Sequence, residues 1–383
     1  MKSLERRFLL ACLAGKARRP DPGLDWSRFL DRALQNGVAA LAYARLRDSG
    51  GLELLPQRTA ADLRRNYVST GFRNLGCMEE LGRVLAALRA ADIPTIALKG
   101  AAFAGSLWSD PAVRTMRDFD LLVPRPRLEA AESVLRERGY LPSERYTRAG
   151  LNRRDHHHGP PMKHPVHGLV VEIHWNIVKP HEEFRFSPDK LWARAVETRI
   201  AGFDALTLSP EDHILHLCLH TACDDPFQSK IGSIIDMAEL LRAGRQAWDW
   251  DTLLEEAAAE GYARFLYYPL HLAGRLFRAP VPADVLRALR RSAGMGIAED
   301  RLVRSCAERC LLAAARDDVL LAEWRLSRAC EIMLFNEGTL KRFYVLCGEV
   351  CSTLAHAAAK RRRTRSTRPS PRAHPAAKDG RSR

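Results

Sequence analysis

The sequence predicts an α+β protein: a small mixed β-sheet core flanked by helices, followed by a mostly helical C-terminal domain. Three observations carry that reading. Short apolar runs at residues 94–98, 118–123 and 169–175 alternate with the period of two expected of strands. Much longer stretches on either side place apolar residues at helical spacing. Proline and glycine fall between these segments, where chain continuity is expected to break.

Residues 1–93 read as helices. A helix begins at Leu24-Asp25-Trp26, with Phe29, Leu30, Ala33 and Leu34 on one stripe, and a second at Ala39–Leu46. A long helix over residues 66–90 follows, with Leu75, Met78, Leu81, Val84, Leu85 and Leu88 apolar, and Pro94 stops it. Residues 94–205 form the core. Pro94–Leu98 reads as a strand ending at Lys99-Gly100, and a helix is expected from Ala101 to Trp108. A helix over Pro126–Gly139 turns Leu128, Ala131, Val134 and Leu135 inward. A histidine-rich loop, residues 155–168, then precedes the third strand and is expected to border the site. Residues 206–356 read as helical. Ser209-Pro210-Glu211-Asp212 is a strong helix start, with a capping serine, proline at the first position and acids in the first turn. His213, His216 and His220 share a face of that helix, with no carboxylate at fixed spacing to make a metal site of them. Packing or a substrate-facing wall is the expected role. Residues 357–383 form a basic tail, expected to be disordered.

The most informative residues are Asp118 and Asp120. One residue apart on a strand, their carboxylates project from the same face, opposite Phe119, Leu121 and Val123. Like charges held together against an apolar strand repel and resist desolvation unless a cation joins them. Mg²⁺ suits carboxylate and phosphate oxygens. Glu172, on the face of its strand that also carries His174 and Asn176, supplies a third acid. Three carboxylates can hold two divalent ions roughly 4 Å apart, the arrangement for in-line displacement at phosphorus. Gly100 lets the backbone approach a phosphate, Lys99 adds a charge, and Arg114 and Arg117 precede the acids, positioned for a triphosphate or for the strand ends. His174 is expected to sit behind the metal ligands and orient them.

Between Thr95 and Trp175 the order is Leu-Lys-Gly, Arg-x-x-x-Asp-x-Asp-Leu-Leu-Val and Val-Glu-Ile-His-Trp. In this the chain resembles the polymerase-beta-type nucleotidyltransferase superfamily. It is most similar to a bacterial branch carrying Leu-Lys-Gly before the Asp-x-Asp, over roughly residues 20–290. The resemblance implies that Asp118, Asp120 and Glu172 ligate Mg²⁺, that Lys99-Gly100 forms the phosphate-binding turn, and that an NTP is the substrate. The helical region is then implied to cover the core and shape the acceptor pocket. Lys-Gly-Ala stands where the wider superfamily has Gly-Ser or Gly-Gly.

Composition narrows the alternatives. Hydrophobic residues make up 46% and charged residues 28%, the balance of a soluble globular chain, and no apolar run approaches a membrane span. The first 15 residues imitate a signal peptide only briefly and read as an amphipathic helix. Nine cysteines at scattered spacing fit reduced thiols and a cytoplasmic location. Cys306/Cys310 and Cys347/Cys351 are spaced for helix faces, unlike the turn-borne Cys-x-x-Cys of zinc sites. Most of the net charge of +14 belongs to the tail from Lys360, so basicity says little about the globular part. The functional expectation is a Mg²⁺-dependent transfer of a nucleoside monophosphate from an NTP to an acceptor hydroxyl. The alternatives are a degenerate nucleotide-binding module within a biosynthetic or toxin-antitoxin assembly, and weak nucleic-acid contact through the tail.

Overall fold

A computed structural model describes residues 4–143, 156–166, 168–180, 184–224, 227, 228, 230–244 and 248–312, all within one compact unit. The tail, Cys330 and the Cys347/Cys351 pair lie outside the described residues.

The centre is a mixed seven-stranded sheet in the order β3-β4-β5-β2-β1-β7-β6. Its strands are β1 (Ile96–Ala97), β2 (Asp118–Leu122), β3 (Leu141–Pro142), β4 (Met162–Lys163), β5 (Val170–His174), β6 (Val196–Ile200) and β7 (Phe203–Thr207). The three strands expected from sequence are β1, β2 and β5, and they are neighbours. β2 runs parallel to β5 and antiparallel to β1. The parallel register sets Asp120 beside Glu172 and Leu122 beside His174. Phe119, Leu121, Val171 and Ile173 are fully or almost fully buried on the other face, which fixes which side the acids occupy.

The β6–β7 hairpin escaped the sequence reading, although its signal is there. Ala201-Gly202 forms a two-residue turn with φ of 52° and 84°. Positive φ at both turn residues matches the right-handed twist of the flanking strands.

Helices α1 (Leu4–Leu13), α2 (Trp26–Gln35) and α3 (Ala39–Asp48) precede α4 (Gln57–Ala90). The long helix therefore starts nine residues earlier than its apolar spacing suggests, directly after Pro56. Asp25 caps α2 through the Arg28 N–H. After β1, α5 spans only Lys99–Phe103. The helix expected to reach Trp108 stops because Gly105 adopts φ 78° and turns the chain. α6 (Leu128–Glu137) buries Leu128, Ala131 and Leu135, while Val134 is half-buried.

Beyond α7 (Asp189–Ala193) and the β6–β7 hairpin, the elements among the described residues are helices: α8 (Pro210–Cys223), α9 (Ile231–Ala243), α10 (Trp250–Glu260), α11 (Ala263–Phe277), α12 (Ala283–Ser292) and α13 (Ile297–Cys310). Ser209 caps α8 through the Asp212 N–H, as its sequence requires. Pro280 and Pro282 separate α11 from α12. No described helix is long and apolar enough to cross a membrane.

Candidate active site

Asp120 is the centre of the site. It is 3% exposed in the middle of β2, and its Oδ1 accepts a hydrogen bond from His174 Nε2 at 2.9 Å. The same oxygen lies 3.1 Å from Lys99 Nζ. Glu172 Oε2 is 3.7 Å from His174 Nε2. Asp120, Glu172 and His174 each offer a ligand atom, and these lie within 4.8 Å of one another. Two hard carboxylate oxygens and an imidazole nitrogen on neighbouring strands suit one divalent cation.

The closest trio thus contains His174 in the place expected for Asp118. The register explains the exchange. Asp118 sits one pleat earlier, opposite Val170, at the open end of the strand. His174 lies on the face of Asp120 and reaches it diagonally. Asp118 still faces the same cluster. Although the residue is exposed at the strand end, partial loss of solvent around its carboxyl, and then the charge of Asp120, push it upward. Burial works the same way on Asp120, but Lys99 and the His174 hydrogen bond overcome it and hold that carboxyl well below its ordinary range. Burial lowers His174, and hydrogen bonds to Asp120 and Glu172 more than compensate, leaving it raised.

Asp118, Asp120, Lys99, Gly100, Arg114 and Arg117 all line one cleft of about 280 Å³. Its other wall comes from residues that sequence did not single out for the site. Asn36, Gly37 and Val38 follow α2, and Lys230, Gly232 and Ser233 open α9. Lys230 Nζ lies 3.2 Å from His220 Nε2. Asp236, in the second turn of α9, binds Arg114.

The two arginines behave differently from each other. Arg114 gives its guanidinium to Asp236 through three hydrogen bonds of 2.8–3.0 Å, and Trp108 Nε1 donates to the same carboxylate at 2.8 Å. Its role is to lock the turn against α9. Gly100 shows why the turn needs glycine, since a Cβ there would come 2.6 Å from Arg114 Nη1. Arg117 donates to the Gln35 carbonyl at 3.1 Å, at the edge of the cleft.

The histidine-rich loop borders the site as expected. The rings of His157 and His158 lie 5.2 and 5.1 Å from that of His174. For His220 the structure corrects the expectation that no carboxylate partner exists. Asp224, four residues on, meets its Nδ1 at 3.4 Å, and His157 approaches the same carboxylate at 3.8 Å. The i,i+4 spacing was the available signal. His213 packs on Phe103 and hydrogen-bonds Thr207, and burial pushes it down to about 4.

A larger cavity, about 650 Å³, lies past the C-terminal ends of β2 and β5, among Pro124, Arg125, Trp175, Phe186 and Trp192. Asp118, Asp120 and Glu172 do not line it. Volume alone would point there. The convergence of titratable groups points to the smaller cleft.

Asp118 and Asp120 face a cleft that Lys99, Arg114, Arg117 and Lys230 also line, and Glu172 stands beside Asp120 on the adjacent parallel strand. A family described as uncharacterised nucleotidyltransferase matches residues 22–278. The chain belongs to that family. No curated protein and no solved structure matches it.

Proposed function

We propose that the protein is a Mg²⁺-dependent nucleotidyltransferase that moves a nucleoside monophosphate from an NTP to an acceptor hydroxyl and releases pyrophosphate. The observation that carries this reading is the convergence of Asp120, Glu172 and His174 within 4.8 Å, beside Asp118. A bound Mg²⁺ supplies charge neutralisation at the reacting phosphate. Asp120 and Glu172 would be its carboxylate ligands, and Asp118 adds negative charge at the mouth of the cleft. His174 fixes the orientation of Asp120 through the 2.9 Å hydrogen bond.

The acceptor oxygen forms a bond to the α-phosphorus as the bond to pyrophosphate breaks, and the hydroxyl proton leaves toward solvent or Glu172. Lys230, Arg117 and the first turn of α9 line the cleft where the polyphosphate would lie. The test is pyrophosphate release from each NTP with Mg²⁺ and candidate acceptors, read alongside mass spectrometry of material labelled from ATP. Nucleotide-dependent release that needs Mg²⁺ supports the assignment. Its absence over a broad acceptor panel refutes it.

One observation favours the second reading, a nucleotide-binding module without turnover. Lys99 neutralises the central carboxylate at 3.1 Å. Calorimetry with Mg²⁺ and each NTP separates the two, because the module binds nucleotide and releases no pyrophosphate.

A further inference from the structure

The carboxylate cluster already contains a cation. Lys99 Nζ lies 3.1 Å from Asp120 Oδ1, and the lysine side chain is 16% exposed. The charges of Asp118 and Glu172 act on the same ammonium. A lysine on a mobile phosphate-binding turn would point its head into the open cleft. This one is drawn down among the acids.

The backbone is built to hold it there. Lys99 adopts φ 43°, in the left-handed region that residues with a Cβ rarely enter. Such a conformation persists only where the surroundings over-determine it. Those surroundings are visible on both sides. Before it, the Leu98 N–H donates to the Asp120 carbonyl at 3.0 Å and fixes the end of β1 against β2. After it, Gly100 lies beneath the guanidinium of Arg114, which Asp236 anchors from α9. The lysine stem therefore starts from a rigid point and ends on the carboxylate that the cation site needs most.

We propose that the Lys99 ammonium is a resident cation occupying one of the two cation positions of this cluster, so that the site loads a single divalent ion on Asp120 and Glu172, with His174 holding Asp120 in place. The inference rests on the nucleotidyltransferase reading and sharpens it. Asp120 Oδ1 already accepts from both Lys99 and His174. A second ion bridging Asp118 and Asp120 would have to share that carboxylate with a fixed positive charge and would be repelled by it. The trio that does converge draws on Asp120, Glu172 and His174 and leaves Asp118 out. In this arrangement the protein supplies permanently the charge that a second metal would bring.

The experiment counts bound ions in the full chain. Mn²⁺ binding is titrated by electron paramagnetic resonance in the presence of α,β-methylene ATP or the GTP equivalent, for wild type, Lys99→Met and Lys99→Gln. Two variants are used so that loss of folding in one, checked by circular dichroism, does not end the test. Asp120→Asn identifies the counted ion, because it should weaken Mn²⁺ binding at least about tenfold. The expected result is one Mn²⁺ per wild-type chain and two per chain in a folded Lys99 variant. Two ions in wild type, or one ion in both wild type and variants, overturns the proposal while leaving the transferase reading intact. Wild type that binds neither Mn²⁺ nor either analogue overturns both.

Discussion

Two buried ion pairs flank the Lys99-Gly100 turn, and they are built on different principles. In the Arg114–Asp236 pair, one guanidinium meets one carboxylate through three hydrogen bonds, and Trp108 donates a further one. The donors match the acceptors, so the pair is complete. In the Lys99–Asp120 pair the ammonium and His174 share one carboxylate oxygen, while Glu172 lies 3.7 Å from the same imidazole and Asp118 adds a third carboxylate beside them. A matched pair holds the fold in place. An excess of carboxylate is a cost to the fold that a bound cation relieves.

That difference predicts opposite responses to substitution. Asp120→Asn keeps the shape of the side chain and removes its charge. It should reduce kcat/KM by about 10³-fold or more, as loss of a central electrostatic group does, with an unchanged circular dichroism spectrum. Near-normal turnover in this variant would break the assignment of the cluster as the catalytic centre.

Asp236→Ala attacks the matched pair instead. It leaves Arg114, 24% exposed, without its carboxylate, and should cost about 3 kcal/mol in denaturant unfolding. A loss below about 1 kcal/mol would show that the pair is not structural.

Acid separates the cluster from its surroundings. Burial pushes His213 down to about 4 and His220 down to about 3, so the folded state binds fewer protons than the unfolded state below an ordinary histidine pKa of 6.5. Their stabilisation is complete above pH 6.5 and is lost as pH falls from there toward the folded values. His213 alone should account for about 2 kcal/mol at pH 5. Asp118 has the opposite sign. Its folded pKa is raised to about 6, so its contribution grows as pH falls through that value. Unfolding measured from pH 7.5 to 5 should show net loss of stability in wild type and a smaller loss in His213→Phe.

The smallest expected effect is a gain. Glu172→Gln removes a like charge from beside Asp120 and should raise the stability of the metal-free protein by about 1 kcal/mol while lowering activity. Added Mg²⁺ should raise the melting temperature of wild type more than that of the variant. A destabilised Glu172→Gln protein would mean that the cluster is balanced without an ion.

The sequence by itself determined the elements whose signal is local. Period-two alternation placed β2 and β5 and put Phe119 and Leu121 opposite the acids. Ser209-Pro210 marked the start of α8, and the order of Leu-Lys-Gly, Asp-x-Asp and Glu172 carried the family. The short strands β3 and β4 and the β6–β7 hairpin were harder to read, because two-residue strands have no period and Ala201-Gly202 is a weak turn signal.

Only the tertiary structure decided the partners. Arg114 and Asp236 are 122 residues apart, and nothing in the spacing of either residue names the other. His174 reaches Asp120 because a parallel register lays β5 beside β2, and Lys99 reaches it because a left-handed turn aims the stem inward. Backbone conformation depends on neighbours in the chain. Charge pairing depends on neighbours in space, and those exist only after the sheet and its helices have assembled.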